Sequence, residues 1–260
     1  MSQLATVLVR NTLLGDGKPK ICVSITEATH EDILRSCKRI IDKGADIVEW
    51  RVDHFSRNDS PAAMEETLEA LRGLLGDIPL IFTIRTKNEG GLADLPLWDY
   101  VKIYRAAART EMVDIFDVEL QIALNIPKEI IVELKRNAKL IFSKHFFTMT
   151  PSLEKMVDDM IRMQVFGADI AKLAVMPIDE GDVRRLFSAS AEMVAHHRST
   201  PIITISMGDL GVDSRIQCVK TGSCLTFAAV DAGSAPGQLP IDLLRYDMEQ
   251  FNMTYRPPKA

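Results

Sequence analysis

The sequence predicts an α/β protein built as a (β/α)8 barrel. Three observations carry this. Eight short apolar runs rich in Ile, Val and Phe recur along the chain, each of strand length. Longer segments with helical spacing separate them. The 260 residues match the roughly 250 that eight β/α units need. An open doubly wound sheet is the runner-up. Such a sheet usually carries a glycine-rich phosphate turn after its first strand. Here that turn reads Thr26-Glu-Ala-Thr-His30, without glycine.

Residues 6–9 and 12–14, ahead of Gly15-Asp-Gly17, read as a hairpin closing the barrel floor. The first strand is Lys20-Ile-Cys-Val-Ser-Ile-Thr26. Ile33, Leu34, Cys37, Ile40 and Ile41 then fall at helical spacing, with Thr29 as N-cap and Gly44 as the left-handed stop. The second strand is Asp46-Ile-Val-Glu-Trp-Arg51, and Ser60-Pro61 starts a helix carrying Met64, Leu68, Leu71, Leu74 and Leu75. Next come the strands Pro79-Leu-Ile-Phe-Thr-Ile-Arg85, Val113-Asp-Ile-Phe-Asp-Val-Glu-Leu120 and Lys139-Leu-Ile-Phe-Ser143. The last three are Ala168-Asp-Ile-Ala-Lys-Leu-Ala-Val175, Pro201-Ile-Ile-Thr-Ile-Ser206 and Cys224-Leu-Thr-Phe-Ala-Ala229. Helical patterns cover 96–109, 127–137, 152–166, 182–197 and 239–251. No Pro/Ser/Gly linker divides the chain, so residues 1–260 read as one catalytic barrel domain.

Composition narrows the function. Lys and Arg number 31 against 36 Asp and Glu, a net charge of −5, which argues against a nucleic-acid partner. No apolar stretch reaches the roughly 18 residues of a membrane span. Residues 1–10 lack the basic-then-apolar pattern of a secretory signal. Cys22, Cys37, Cys218 and Cys224 form no C-x-x-C pair and read as reduced thiols of a cytoplasmic protein. His30, His54, His145, His196 and His197 form no H-E-x-x-H, so no metal site is expected. His54, His196 and His197 read as structural or surface residues.

Barrel strands send alternate side chains inward. In the second strand Val48, Trp50 and Val52 share the apolar face that meets the helices, which turns Glu49 and Arg51 into the barrel. The same parity puts Ile81, Thr83 and Arg85 on one face, and Ala168, Ile170, Lys172 and Ala174 on another. Asp117 and Glu119 also alternate inward, placed to pair with Arg51 or Arg85 and hold a charged floor. Lys172 interrupts an apolar strand, and a buried ammonium is costly unless it is paired or deprotonated. It is either an edge-strand lysine with its head in solvent or a nucleophilic amine, its charge disfavoured by desolvation and by Arg51, Arg85 and Arg215.

His145, at the carboxyl end of the fifth strand, is either a satisfied structural histidine or a base beside that amine. Glu89 follows the third strand on a glycine turn and reads equally as a solvated acid. Arg215 suits a substrate carboxylate or a surface salt bridge. Ser234-Ala-Pro-Gly-Gln238 suits a loop that comes close to a ligand, Ala235 included, or a plain turn.

Together these residues resemble the type I 3-dehydroquinate dehydratases over essentially the whole chain. The likeness rests on Glu49-Trp-Arg-Val-Asp-His-Phe55, Phe82-Thr-Ile-Arg-Thr-Lys-Asn-Glu-Gly-Gly91, Ser143-Lys-His145 and Gly167-Ala-Asp-Ile-Ala-Lys-Leu-Ala-Val-Met-Pro177. It continues in Ser206-Met-Gly208, Ser214-Arg215 and Ser234-Ala-Pro-Gly-Gln238. The resemblance implies a cofactor-free, metal-free lyase of the shikimate route, converting 3-dehydroquinate to 3-dehydroshikimate and water, and a homodimer. It implies that Lys172 forms the imine, His145 is general base and acid, and Glu89 hydrogen-bonds the histidine. By the same likeness Glu49, Arg51 and Arg85 hold ring hydroxyls, and Arg215, Ser234 and Gln238 surround the carboxylate and its neighbouring hydroxyl. Ser24 is a further pocket position, and Ile205 and Met207 are apolar ring contacts. Phe146 departs from the Asp that often follows the family histidine, and Ile205 from a frequent Met. A class I Schiff-base aldolase on the same barrel, or a non-catalytic sensor of a cyclic polyol acid, are the alternatives.

Overall fold

The computed structural model describes residues 5–231 and 233–255. The reading of residues 1–10 falls outside this range for residues 1–4. Eight parallel strands follow one another in space in chain order: β3 (Lys20–Ile25), β4 (Ile47–Arg51), β5 (Leu80–Thr83), β6 (Ile115–Glu119), β7 (Lys139–Phe146), β8 (Ile170–Val175), β9 (Ile202–Ser206) and β10 (Leu225–Ala228). The last of these, β10, pairs with β3. That pairing rules out the open doubly wound alternative, in which first and last strands do not meet. Between β9 and β10 the ladder thins to one bridge, Ile202 with Ser223. The Cys224 amide donates to the Ile202 carbonyl at 2.8 Å, and the Thr204 amide to Ser223 Oγ at 3.2 Å.

The predicted hairpin is present as β1 (Val7–Val9) paired antiparallel with β2 (Thr12–Leu14). Its alternation is simple: Leu8 and Leu13 face out, whereas Val9 and Leu14 are buried with the barrel interior. The wall of helices comprises α1 (His30–Asp42), α2 (Pro61–Leu75), α3 (Leu97–Arg109), α4 (Leu120–Ala123), α5 (Lys128–Leu134), α6 (Leu153–Val165), α7 (Glu180–His196), α8 (Val212–Ile216), α9 (Cys218–Thr221) and α10 (Ile241–Thr254). Thr29 and Ser60 cap α1 and α2 by accepting from the Asp32 and Ala63 amides, and Gly44 takes φ +69° just past α1. Outward strand residues pack edge-to-face under these helices, Trp50 on Phe82 at 5.7 Å and Phe82 on Phe116 at 5.8 Å.

The interior is what positions the site. Cys22, Ile47, Ile81, Ile115, Ile141, Ile170, Ile203 and Leu225 form a sealed apolar floor. Two residues further along the same strands stand Ser24, Glu49, Thr83, Asp117, Ser143, Lys172, Ile205 and Phe227. A greasy layer therefore closes off water from below, and polar groups begin only toward the carboxyl ends of the strands, where barrel chemistry gathers. Ala168 departs from its expected inward place: β8 begins only at Ile170, and Ala168 packs with the outer layer.

Candidate active site

Lys172 sits mid-strand in β8, paired on both sides by β7 and β9, and is 4% exposed. The solvent-headed edge lysine is therefore excluded. The sequence also places cations beside it, and here the structure differs. Its Nζ donates to Asp117 Oδ2 at 2.7 Å, lies 3.9 Å from Glu49 Oε1, and stands 4.5 Å above the Phe227 ring. Parity alone does not say which inward side chains meet across the barrel, and carboxylates of β4 and β6 reach the amine first.

Asp117 is the hub of the floor. Its Oδ1 accepts from Arg85 Nη2 at 2.8 Å and Ser143 Oγ at 2.6 Å, while Oδ2 takes Lys172. Burial pushes this carboxyl up, but the Arg85 and Lys172 cations outweigh it and hold Asp117 far below the usual carboxylate range. Burial likewise opposes the Arg85 charge, and Asp117, Glu119 and Glu89 more than restore it. Glu119 accepts from Arg85 Nη1 at 3.3 Å and from the Thr86 amide at 2.8 Å, so the Arg85 half of the expected pairing holds.

Arg51 pairs elsewhere. Because β4 ends at Arg51, the 3-10 turn Val52–His54 folds Asp53 back against its own neighbour, and Arg51 donates to it through Nε at 2.9 Å and Nη2 at 2.8 Å. Asp53 also accepts from the amides of Arg85 and Leu92, both at 3.1 Å, and so ties the segment after β5 to the end of β4.

That segment carries Glu89, which is 3% exposed and not a solvated loop acid. Its Oε2 meets His145 Nδ1 at 2.9 Å and the His145 amide at 3.0 Å. With Glu89 as acceptor, Nδ1 bears the proton and Nε2 keeps a free lone pair. Burial, with Arg85 and Lys172 nearby, holds the imidazole well below its usual value, so it is neutral near pH 7. Burial raises the Glu89 carboxyl, against the pull of Arg85 and Lys144.

Arg215, on α8, is 1% exposed and has no carboxylate within ion-pair distance among the described residues, so the surface salt bridge is excluded. It donates only to backbone carbonyls, to Pro236 at 2.9 Å and to Phe227 at 3.5 Å, and its buried Nε has no partner. Burial lowers the guanidinium to about 10. The loop that carries Pro236 also holds a hydrogen-bonded chain along the site. Gln238 Nε2 donates to Ser234 Oγ at 3.1 Å, Ser234 to Ser24 at 3.0 Å, Ser24 to Glu49 at 2.5 Å, and Thr83 to Glu49 at 2.8 Å. The loop can seat this closely because Gly237, at φ +78°, rests on Gly208, whose carbonyl oxygen a Cβ would meet at 2.3 Å.

These groups surround one cavity of about 480 Å³, its mouth included. Lys172, His145, Glu89, Glu49, Arg51, Arg85, Ile205, Met207, Arg215, Ser234, Ala235 and Gln238 all line it. Ser24 is not on the wall; it stands behind Glu49 and links it to Ser234. Four lining residues were not singled out by sequence: Gly90, Phe147, Ala174 and Phe227. Parity already puts Ala174 on the face of Lys172 without giving it a role, and it could have found Phe227, which also lies on an inward face. The tip of the Phe147 ring rests against the bare Gly90, where a Cβ would overlap it at 2.2 Å. Among the described residues no group of three or more His, Cys, Asp or Glu is arranged to hold a metal ion.

A lysine amine, an imidazole oriented by a carboxylate, and an arginine without an acid partner thus face one cavity. A sequence model of the family described as type I 3-dehydroquinase matches residues 21–252. The chain belongs to that family. Relatives similar to it include the 3-dehydroquinate dehydratase of Clostridium kluyveri, 40% identical over 252 residues, 96% of this chain and 98% of the relative. Among solved structures, the type I 3-dehydroquinate dehydratase of Clostridium difficile with covalent modified comenic acid superposes at TM-score 0.91 and 38% identity, covering 98% of this chain and all of that one. The Geobacillus kaustophilus 3-dehydroquinate dehydratase superposes at TM-score 0.92 and 34% identity, with the same coverage. Of the two positions expected to depart from the family, Phe146 packs its ring on the outer core with the Lys144 ammonium 5.6 Å from its centroid, and Ile205 lines the cavity.

Proposed function

We propose that the chain is a carbon–oxygen lyase that dehydrates 3-dehydroquinate to 3-dehydroshikimate and water in the shikimate route, through a Schiff base on Lys172. The single observation that carries this is a buried amine sharing a cavity with a neutral imidazole whose Nδ1 is tied to a carboxylate. The Lys172 amine adds to the C3 ketone, and loss of water leaves an iminium. The iminium draws electrons from the C2–H bond, which makes that proton acidic enough for His145 Nε2. The enamine so formed expels the C1 hydroxyl, and His145 returns its proton to the leaving oxygen as water. Hydrolysis of the conjugated iminium frees the product and the amine.

Arg215 binds the substrate carboxylate, since its buried fork has no acid partner among the described residues. Ser234, Gln238, Glu49, Arg51 and Arg85 hold the hydroxyls, and Ile205, Met207 and Ala235 face the ring. Ser24 steadies Glu49 from behind. The Clostridium difficile relative, described with covalent modified comenic acid, supports covalent chemistry with an acid ligand here. A class I aldolase accounts for Lys172 alone; the carboxylate-ready Arg215 and the Glu89–His145 pair favour dehydration. We place the protein in the cytoplasm as a homodimer, the four buried thiols suiting a reducing compartment, with sedimentation velocity as the check on the dimer. Incubation with 3-dehydroquinate tests the activity: enone absorbance must rise. Carbon–carbon cleavage without enone would favour the aldolase, and binding without turnover a sensor.

A further inference from the structure

Glu89 has two oxygens, and they are used differently. Oε2 faces His145, taking its Nδ1 and its backbone amide. Oε1 accepts from Lys144 Nζ at 3.1 Å. Lys144 precedes His145 on β7, so alternation turns its side chain away from the barrel interior and toward the rim. Its side chain is 28% exposed, and its ammonium also rests on the Phe146 ring. A rim lysine therefore touches the buried acid that orients the imidazole.

We propose that Lys144 is a positioning residue that fixes Glu89 as the hydrogen-bond acceptor of His145. This rests on the dehydratase reading above. Without Lys144, Oε1 loses its only side-chain donor among the described residues, and the carboxylate is free to rotate or to take up a proton. The sign of the effect does not depend on which partner titrates, because Glu89 and His145 share one proton system. Removing a cation beside that pair increases its proton affinity, and a protonated pair has no free base.

The other charged groups facing the pair stay in place. Arg85, two residues past the end of β5, lies 3.8 Å from Glu89. Asp117 and Glu119 of β6, Lys172 of β8 and Arg51 of β4 complete the set acting on it. Lys144 is the member of this set nearest solvent, so its contribution alone is open to salt.

The test is the pH profile of kcat for 3-dehydroquinate in wild type, K144Q and K144R. In K144Q the acid limb is expected to move up by about half a pH unit, the size of a partly exposed ion pair, with at most about a threefold loss on the plateau. K144R restores the wild-type limb. Added salt moves the wild-type limb the same way and leaves K144Q unmoved. An acid limb that stays put in K144Q, in protein melting like wild type, overturns the proposal, as does a K144R limb that follows K144Q. If wild type produces no enone at all, the dehydratase reading fails instead.

Discussion

Asp117 Oδ2 lies 2.7 Å from Lys172 Nζ, at the centre of a barrel whose lower layer is sealed by isoleucines. The amine is thus not a lone charge stranded in an apolar strand. It is one pole of a buried cluster, Lys172–Asp117–Arg85, with Ser143 donating to the shared carboxylate. An iminium on the same nitrogen stays cationic, so the counter-ion that serves the resting enzyme also serves the intermediate.

Breaking that pair should cost both stability and turnover. Asp117→Asn leaves Lys172 and Arg85 buried with one acid fewer, and unpaired buried charge typically costs about 3–5 kcal/mol. Because the Asp117 carboxyl is held far below its ordinary value, its contribution is present above about pH 3.9 and is lost as pH falls toward the folded-state value. Chemical denaturation of D117N against wild type at neutral pH measures the loss; equal midpoints would remove Asp117 from the scaffold of the site.

His145 separates binding from chemistry. In His145→Ala the arginines and the amine remain, so a carboxylate ligand should still bind by calorimetry. The kcat should drop about 10²–10⁴-fold, the usual worth of a general base. A kcat near wild type would exclude His145 from proton transfer.

The depressed imidazole also predicts a pH dependence of stability. Below about pH 6.5 the unfolded chain protonates at this position while the folded one does not, so stability falls as pH drops below that value and levels off beneath the folded-state pKa. Melting curves of wild type and His145→Asn between about pH 7.5 and pH 5 check this: the variant should be flatter, and parallel curves would contradict it.

Arg215 carries an uncompensated buried charge that a ligand should satisfy. Arg215→Met should melt at or above wild type without ligand, because the desolvated cation is gone. It should lose affinity for 3-dehydroquinate by roughly 10²-fold, a charge-assisted pair's worth. A carboxylate ligand should raise the wild-type melting point and leave the variant's unchanged. Unchanged KM would place the carboxylate elsewhere.

Much of this site is legible in the chain because a barrel strand obeys a period of two. Glu49, Arg85 and Lys172 are polar residues on the same inward strand faces as Ile47, Ile81 and Ile170, and that mismatch alone turns them toward a cavity. Gly90 and Gly237 mark close approaches, of Phe147 and of the Gly208 turn. What the period does not give is who meets whom. Arg51 was free to reach Asp117 by parity, yet the strand ends there and the following turn delivers Asp53 instead. The carboxylates around Lys172 come from strands two and four removed, Asp117 around the curve and Glu49 across the barrel. Their approach is set by strand stagger, which no local pattern records. Phe227 was passed over because an aromatic on an apolar strand looks like core; here its ring forms one wall beside the amine.

The central claim, imine formation on Lys172, is tested most directly by sodium borohydride reduction during turnover with 3-dehydroquinate, followed by tryptic mass spectrometry. Reduction should lock the ligand onto Lys172 and block cleavage there, giving one adduct-bearing peptide that runs from Met163 to Arg184. An unmodified Lys172, cleaved as usual in enzyme shown to be turning over, would contradict the mechanism.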